Sequence, residues 1–267
     1  MVVYQMLEQE TKIFYKTPDG LLLSAIIALS KEKKRLGSVI LAHGLNNNKD
    51  EDGNFSKLSR ILSSKGYDVL RFDFRAHGES QGKSKDMTIK GELIDFETSA
   101  GIFEKLVRGS GKFVIVASSF GASSSILYTS KYPKRVQKLV LWNPVLDYTK
   151  TFLKSETPWG KTFFNEKGYR EIESIGHVTI PETEFQIGGN LVKEFKKIKP
   201  YKLLSKVKIP VLTIHGTQDT AVPYHVSKEY GTPNRLSRFI SLDTEHTFPS
   251  MENKVIAETV NWITKKK

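Results

Sequence analysis

Cysteine is absent from this 267-residue chain. That excludes disulfides, thiolate nucleophiles and thiolate metal ligands, and it suits a reducing compartment. Long apolar runs are missing as well. No stretch approaches the ~18 consecutive apolar residues of a membrane span, and the longest runs, such as "LVLW" ending at Trp142, are strand-sized. The opening "MVVYQMLEQE" has neither a basic n-region nor an extended apolar core, so a secretory signal is not expected and a cytoplasmic location is. No two histidines stand at the His-x-x-x-His spacing of a zinc helix, which argues against a metal hydrolase.

Positive charge, by contrast, is plentiful: 41 basic against 29 acidic residues, a net charge of +12. A nucleic-acid binder is the sharp reading of such a balance. The basic residues are scattered from Lys12 to Lys267 without a nucleic-acid module signature, so a solvated lysine-rich surface is expected and no nucleic-acid partner. Between Lys193 and Lys208 lie seven lysines. They could attract an acidic acyl-carrier partner or simply form a solvated helix face.

The length suits one α/β domain over residues 1–267. Strand-like runs at Glu10–Tyr15 and Leu21–Ala28 flank "TPDG", whose Asp-Gly marks a hairpin turn. Short buried strands follow at "SVILA", "YDVLRFDF", "KFVIVA", "VQKLVLW", "PVLTIH" and "RFISL". Between them, apolar residues at helical spacing predict helices over 55–65, 88–107, 120–132 and 254–264, with Gly66 closing the first. Strand–helix alternation with continuously apolar strands predicts a mostly parallel sheet covered by helices on both faces. Residues 147–200 break the alternation. They are read as a small inserted cap, with a hairpin in "VTIPETEFQIGG" and one short basic helix in "NLVKEFKKIKPY".

The strand "KFVIVA" ends in two serines. A nucleophile on a sharp strand-to-helix turn needs small residues two positions before and two after, because strand and helix approach closely there. Ser118 is flanked at those positions by Val116 and Phe120, Ser119 by Ala117 and Gly121. Ser119 is therefore the candidate. A serine hydroxyl needs a base, and the base an orienting carboxylate. Asp219 follows the strand "PVLTIH" and His246 follows "RFISL", in the chain order Ser, Asp, His. Asp243 sits at a strand end and is read as structural; His215, His225 and His177 do not occupy the terminal loop. Two backbone amides should complete the site as an oxyanion hole, each worth ~3 kcal/mol. Phe120, after the nucleophile, supplies one, and Leu45, beyond the His43–Gly44 turn, the other. His43 is read as stabilising that turn.

"HGL", "RFDFRAHGES", "ASSFG", "HGTQDTAVP" and "EHTF", in this order across nearly the whole chain, resemble the α/β-hydrolase superfamily. The resemblance implies the α/β-hydrolase fold, Ser119, His246 and Asp219 as the triad, Leu45 and Phe120 as amide donors, and no cofactor or metal. In it Asp73, Arg75 and His77 brace the structure. Within the superfamily the chain is similar to bacterial cinnamoyl and feruloyl esterases, through "RFDF" and the "HGES" run, then Met87 and Thr88, and a cap hairpin like "FQIGG". Two departures stand out: Ala117 replaces the usual glycine, and Phe120 stands where a polar residue is common, which makes the pocket floor more apolar.

A serine ester hydrolase acting on small aromatic or short acyl esters is the leading expectation, with Trp159, Phe163, Phe164 and Phe185 as candidate substrate-lining residues. The "ASS" segment also resembles the acyl-transferase and thioesterase subunit of bacterial luminescence systems, so an acyl-carrier or acyl-CoA thioesterase is the alternative within enzymes. A proline-releasing peptidase shares the fold. A hydrolase-fold protein that binds without turnover, motivated by Ala117, is the alternative outside them.

Overall fold

The computed structural model describes residues 2–6, 10–107, 111–180 and 183–265. Strands β1 (Val2–Met6), β2 (Thr11–Lys16) and β3 (Leu22–Ala28) form an antiparallel meander; β1 is an addition to the expected hairpin. The turn between β2 and β3 needs the left-handed backbone of Gly20, at φ +93°. β4 (Gly37–Ala42), α1 (Asn54–Ser64), β5 (Tyr67–Phe72), α2 (Ile89–Leu106), β6 (Phe113–Ser118), α3 (Gly121–Lys131) and β7 (Val136–Trp142) then alternate as strand and helix. α1 buries Phe55, Leu58 and Leu62 on one stripe, and Gly66 beyond it takes φ +96°, as a helix-ending glycine should.

After β7 the chain leaves the sheet. A short π-helical turn (Thr149–Leu153) leads to α4 (Pro158–Phe163), α5 (Glu166–Ile175), the two-stranded hairpin of β8 (His177–Ile180) and β9 (Phe185–Gly188), and α6 (Gly189–Lys197). The hairpin falls where the sequence places it. The basic helix is shorter than expected: it stops at Lys197 and a separate α7 begins at Pro200 (Pro200–Leu204). The proline ring disfavours the helical region for the residue before it, and Lys199 accordingly sits at φ −127°, ψ 87°. Helices α4 and α5 are additions to the sequence reading. α5 carries its own signals, an Asn165 cap whose side chain accepts the Gly168 amide at 3.1 Å and a left-handed Gly176 after its end.

The chain returns through β10 (Val211–Gly216), α8 (Tyr224–Tyr230), β11 (Arg238–Leu242) and α9 (Glu252–Thr264). The nine-stranded sheet has the order β1-β2-β3-β5-β4-β6-β7-β10-β11. From β5 to β11 every pairing is parallel. β5, β6 and β10 are buried at every residue, because helices cover both faces. Alternate β6 residues serve the two cores: Ile115 and Ala117 join Phe72, Phe96 and Tyr128 on one face, while Val114 and Val116 join Phe55, Trp142 and Val260 on the other. A third cluster, rich in phenylalanine, fills the space between the inserted segment and the ends of the parallel strands. Among the described residues no helix is long and apolar enough to cross a membrane.

The inserted segment is tied to the sheet layer by a helix cap. Thr88 accepts the Gly91 amide at 3.0 Å, and Glu194 of α6 accepts the Ile89 amide at 2.6 Å and the Lys90 amide at 3.3 Å. These are three of the amides that the first turn of α2 leaves without helical acceptors, and the carboxylate also meets the positive end of the helix dipole. Glu194→Ala is expected to cost about 1 kcal/mol of stability, read as a lower urea midpoint at unchanged m-value.

Candidate active site

β6 delivers Ser119 in a conformation that side chains rarely adopt: φ +48°. Its peptide is clamped there. The Ser119 amide donates to Trp142 O at 2.8 Å, and its carbonyl accepts the Val145 amide at 3.0 Å. The chain turns at once into α3, pressing Gly121 onto β4, where a Cβ at Gly121 would lie 2.2 Å from His43 O and 2.8 Å from Ala42 O. Only glycine fits. Ala117 is different: it is fully buried within β6, opposite Ala42 of β4 and Leu141 of β7. Gly121→Ala must push β4 and α3 apart, so it is expected to destabilise the fold by about 3 kcal/mol, seen as a drop in the urea midpoint.

The three side chains from distant stretches meet in one line. His246 Nε2 lies 3.0 Å from Ser119 Oγ, and His246 Nδ1 lies 2.7 Å from Asp219 Oδ2. Asp219 is fully buried, and its other oxygen accepts the Ala221 and Val222 amides at 2.8 and 2.7 Å. Burial would raise its pKa, but His246 and His215 hold the carboxyl well below the usual range. It is therefore a carboxylate, which keeps the imidazole proton on Nδ1 and turns the Nε2 lone pair towards the serine. For His246 burial pulls the pKa down, yet the Asp219 charge and hydrogen bond, with Glu51 adding to them, leave it above the ordinary histidine value.

The loop that carries Leu45 is braced by His43. Its Nδ1–H donates to Gly44 O at 2.8 Å and its Nε2 accepts the Phe74 amide at 3.0 Å; burial pushes its pKa down to about 4, so it stays neutral. Both ring nitrogens are committed to the turn, leaving none for proton transfer. Among the described residues neither the Leu45 nor the Phe120 amide has an acceptor within the protein, and both residues line the cavity beside Ser119. Asp73 accepts the Lys49 and Glu79 amides at 2.7 and 3.0 Å, while Arg75 bridges Asp95 and Asp19. His77 packs between the rings of His43 and Phe185. Asp243 accepts from Thr217 Oγ1 and Gln218 Nε2 on the exposed surface.

Ser119 and His246 border a cavity of about 460 Å³, within the usual range for small-molecule sites. Trp159 lines it, with Phe152, Val222 and Phe120. The other three aromatic residues expected there do something else. Phe163, Phe164 and Phe185 are buried at 4, 6 and 7% exposure in the cluster beneath the inserted segment. Phe163 packs on Trp159, Phe164 on Phe152, and Phe185 on His77, so they back the wall and do not form it. Among the described residues no cluster of three or more His, Asp or Glu side chains could hold a metal ion.

Three site neighbours escape sequence reading. Asn143, at φ +42° after β7, donates through its side chain to the His246 carbonyl and accepts the Gly216 amide at 2.9 Å, pinning the two loops that carry Asp219 and His246. His215 lies fully buried with Nε2 3.0 Å from Asp219 Oδ2. Glu51 accepts the Gly44 amide at 2.9 Å and lines the cavity. Asn143 and Glu51 stand in no recognisable motif, and the "HGTQDTAVP" run that His215 opens does not show that its ring meets Asp219; only the fold brings them here.

The sequence profile of the alpha/beta hydrolase fold family matches residues 37–171, from β4 into α5. Among curated proteins, the uncharacterized YqkD of Bacillus subtilis (strain 168) is 22% identical over 225 residues, 81% of this chain and 67% of its own. Est1E from Butyrivibrio proteoclasticus, solved with ferulic acid bound, superposes with a TM-score of 0.76 at 21% identity, covering 94% of this chain and 99% of that one. The Pyrococcus furiosus esterase PF2001 superposes at 0.70 with 20% identity over 98% of this chain and 90% of its own, and the mouse alpha/beta hydrolase domain-containing protein 10 at 0.70 with 18% identity over 94% and 98%. With the profile spanning β4 to β7, the Ser119 turn and helices on both faces of the sheet, the chain belongs to the alpha/beta hydrolase fold family.

Proposed function

We propose that this protein is a serine carboxylic-ester hydrolase acting through an acyl-enzyme. The observation that carries the reading is the hydrogen-bonded line from Ser119 Oγ through His246 to the Asp219 carboxylate, at 3.0 and 2.7 Å, on the wall of the cavity. Ser119 attacks the acyl carbonyl while His246 Nε2 takes its proton. The oxygen that gains negative charge is held by the Leu45 and Phe120 amides, the latter at the N-terminus of α3, where the helix dipole adds to it. His246 then returns the proton to the departing alcohol. Water, deprotonated by the same imidazole, releases the acid and restores the serine. Asp219 holds the imidazole tautomer throughout.

A small aromatic or short acyl ester is the substrate class that suits the walls. Phe120, Phe152, Trp159 and Val222 offer flat apolar surface, and Asn46, Asn47 and Thr151 give polar positions. Est1E, whose fold this chain shares, binds ferulic acid, which fits the same class. A fluorophosphonate probe tests the reaction type: it should label the wild-type protein and leave Ser119→Ala unlabelled. Equal labelling of both, or of neither, overturns the reading.

A second reading, hydrolysis of a carrier-bound thioester, is favoured by Lys193, Lys196, Lys197, Lys202, Lys206 and Lys208, all exposed on or after α6. An acidic carrier would be attracted to such a surface. Turnover of an acyl-carrier substrate should then fall steeply with salt while turnover of a neutral ester does not.

A further inference from the structure

The segment between β4 and α1 holds a feature that the hydrolytic triad does not account for. Glu51, Asp52 and Gly53 stand in succession at φ +45°, +53° and +85°. Two consecutive residues with side chains in the left-handed region cost roughly 1–2 kcal/mol each, and such strain persists only where the surroundings enforce it. What it achieves is the placement of one carboxyl. Glu51 Oε2 accepts the Gly44 amide at 2.9 Å, and the polar Ser118 side chain lies close enough to this carboxyl to favour its charged form. A Cβ built on Gly44 would lie 3.6 Å from Glu51 Oε1 and 3.7 Å from Ser119 Oγ, so the carboxyl and the Ser119 hydroxyl both adjoin the same face of one glycine.

The other charged groups around Glu51 are engaged elsewhere, and His246 lines the same cavity as Glu51. Lys49 is turned to Asp73 and Glu79, at 2.7 Å from each. Asp50 is paired with Arg71 at 2.9 Å and takes the Ser56 hydroxyl. Asp52, on the same turn, repels it; His246, from the loop after β11, attracts it. On β6 and the β4 turn it meets only the uncharged groups of Ser118 and Gly44.

We propose that Glu51 is a positioning residue of the site: it fixes the Gly44–Leu45 turn through the Gly44 amide and, as a carboxylate, stabilises positive charge on His246. This rests on the serine-hydrolase reading for its catalytic consequence, but the coupling itself is a property of the resting protein. Burial, only partly offset by Ser118 and the Gly44 amide, pushes the Glu51 pKa up to about 7, so its charge changes close to neutral pH. An ionised Glu51 makes the imidazolium harder to deprotonate, and the acid limb of kcat/KM, which reports the free enzyme, then lies at higher pH than His246 and Asp219 alone would set.

Glu51→Gln isolates the charge, because its amide oxygen still accepts the Gly44 N–H. The expected results are a His246 pKa, followed by NMR titration of its ring Cε1–H, about 0.5–1 pH unit lower than in the wild type, and an acid limb of kcat/KM displaced in the same direction. Glu51→Ala removes the acceptor too, and its plateau kcat should fall about tenfold or more while KM changes little. A thermal unfolding scan accompanies each variant, and the NMR shift is read only on folded protein. Coincident His246 titrations in wild type and Glu51→Gln overturn the proposal even where the fluorophosphonate probe labels both. Absence of labelling in the wild type defeats the hydrolase reading instead, while the NMR titration still decides whether the two groups are coupled.

Discussion

Ser119→Ala is expected to lower turnover of a small aromatic ester by about 10⁴-fold or more, with circular dichroism and the urea transition little changed. The size follows from what the hydroxyl contributes. Without it no acyl-enzyme forms, and what remains is whatever the two amides and the cavity do for attack by water. The fold should tolerate the change because, among the described residues, the Ser119 side chain hydrogen-bonds only to His246. Its backbone tells a second story. At φ +48° both serine and alanine are strained, and glycine is not. Ser119→Gly should therefore be as inactive as the alanine variant yet about 1 kcal/mol more stable than it. Initial rates with matched urea titrations check both halves. A Ser119→Ala protein retaining a tenth of wild-type turnover would remove Ser119 from the chemistry.

Asp219→Asn is the second large effect, expected at about 10³–10⁴-fold in kcat. The amide can keep the acceptor that the Ala221 and Val222 N–H groups use, at 2.8 and 2.7 Å, so the loop survives. Its NH2 then faces His246 Nδ1, where the wild type offers Oδ2 at 2.7 Å. The imidazole must accept there, its proton moves to Nε2, and the base now presents a donor to Ser119. The negative charge that stabilises the imidazolium is lost at the same time. His246 is held above its ordinary pKa chiefly by Asp219, so the variant's histidine should titrate at lower pH even as activity collapses. An Asp219→Asn protein with nearly full activity would mean that another carboxylate orients His246. Asp243 is poorly placed for that, engaged with Gln218 at 2.7 Å on the exposed surface.

Much of the fold is written locally. Apolar runs too short for anything but strands, helical spacing in residues 55–65 and 88–107, and glycines at helix ends are nearest-neighbour signals, and they place most elements to within a residue or two. Where the reading departs from the structure, the cause is again particular. The basic helix breaks before Pro200, a steric restriction on Lys199. α4 opens on Pro158 and α5 carries the Asn165 cap, but both sit in a segment whose apolar stripe faces a local cluster and not the main sheet. Ser119 could be chosen over Ser118 from the sizes of its neighbours alone, since the close approach of Gly121 to His43 O leaves a mark at a fixed spacing.

The lining of the cavity left no such mark. Trp159 reaches it, while Phe163 and Phe164, a few residues away and equally apolar, turn into the packing behind it. An aromatic ring gains as much by burial against another ring as by facing a ligand, so composition cannot separate the two. Asn143 and Glu51 are hidden for a related reason: each acts on a residue far off in the chain, and hydrogen bonds across such gaps have no period. The sequence by itself determined a parallel α/β sheet, the serine on its turn, and the order in which acid and base follow, because backbone sterics and hydrophobic periodicity act over a few residues. Only the tertiary structure decided which aromatic rings meet the cavity and that a strained turn presses the Glu51 carboxyl beside Ser119, because those outcomes depend on which surfaces the folded sheet brings face to face.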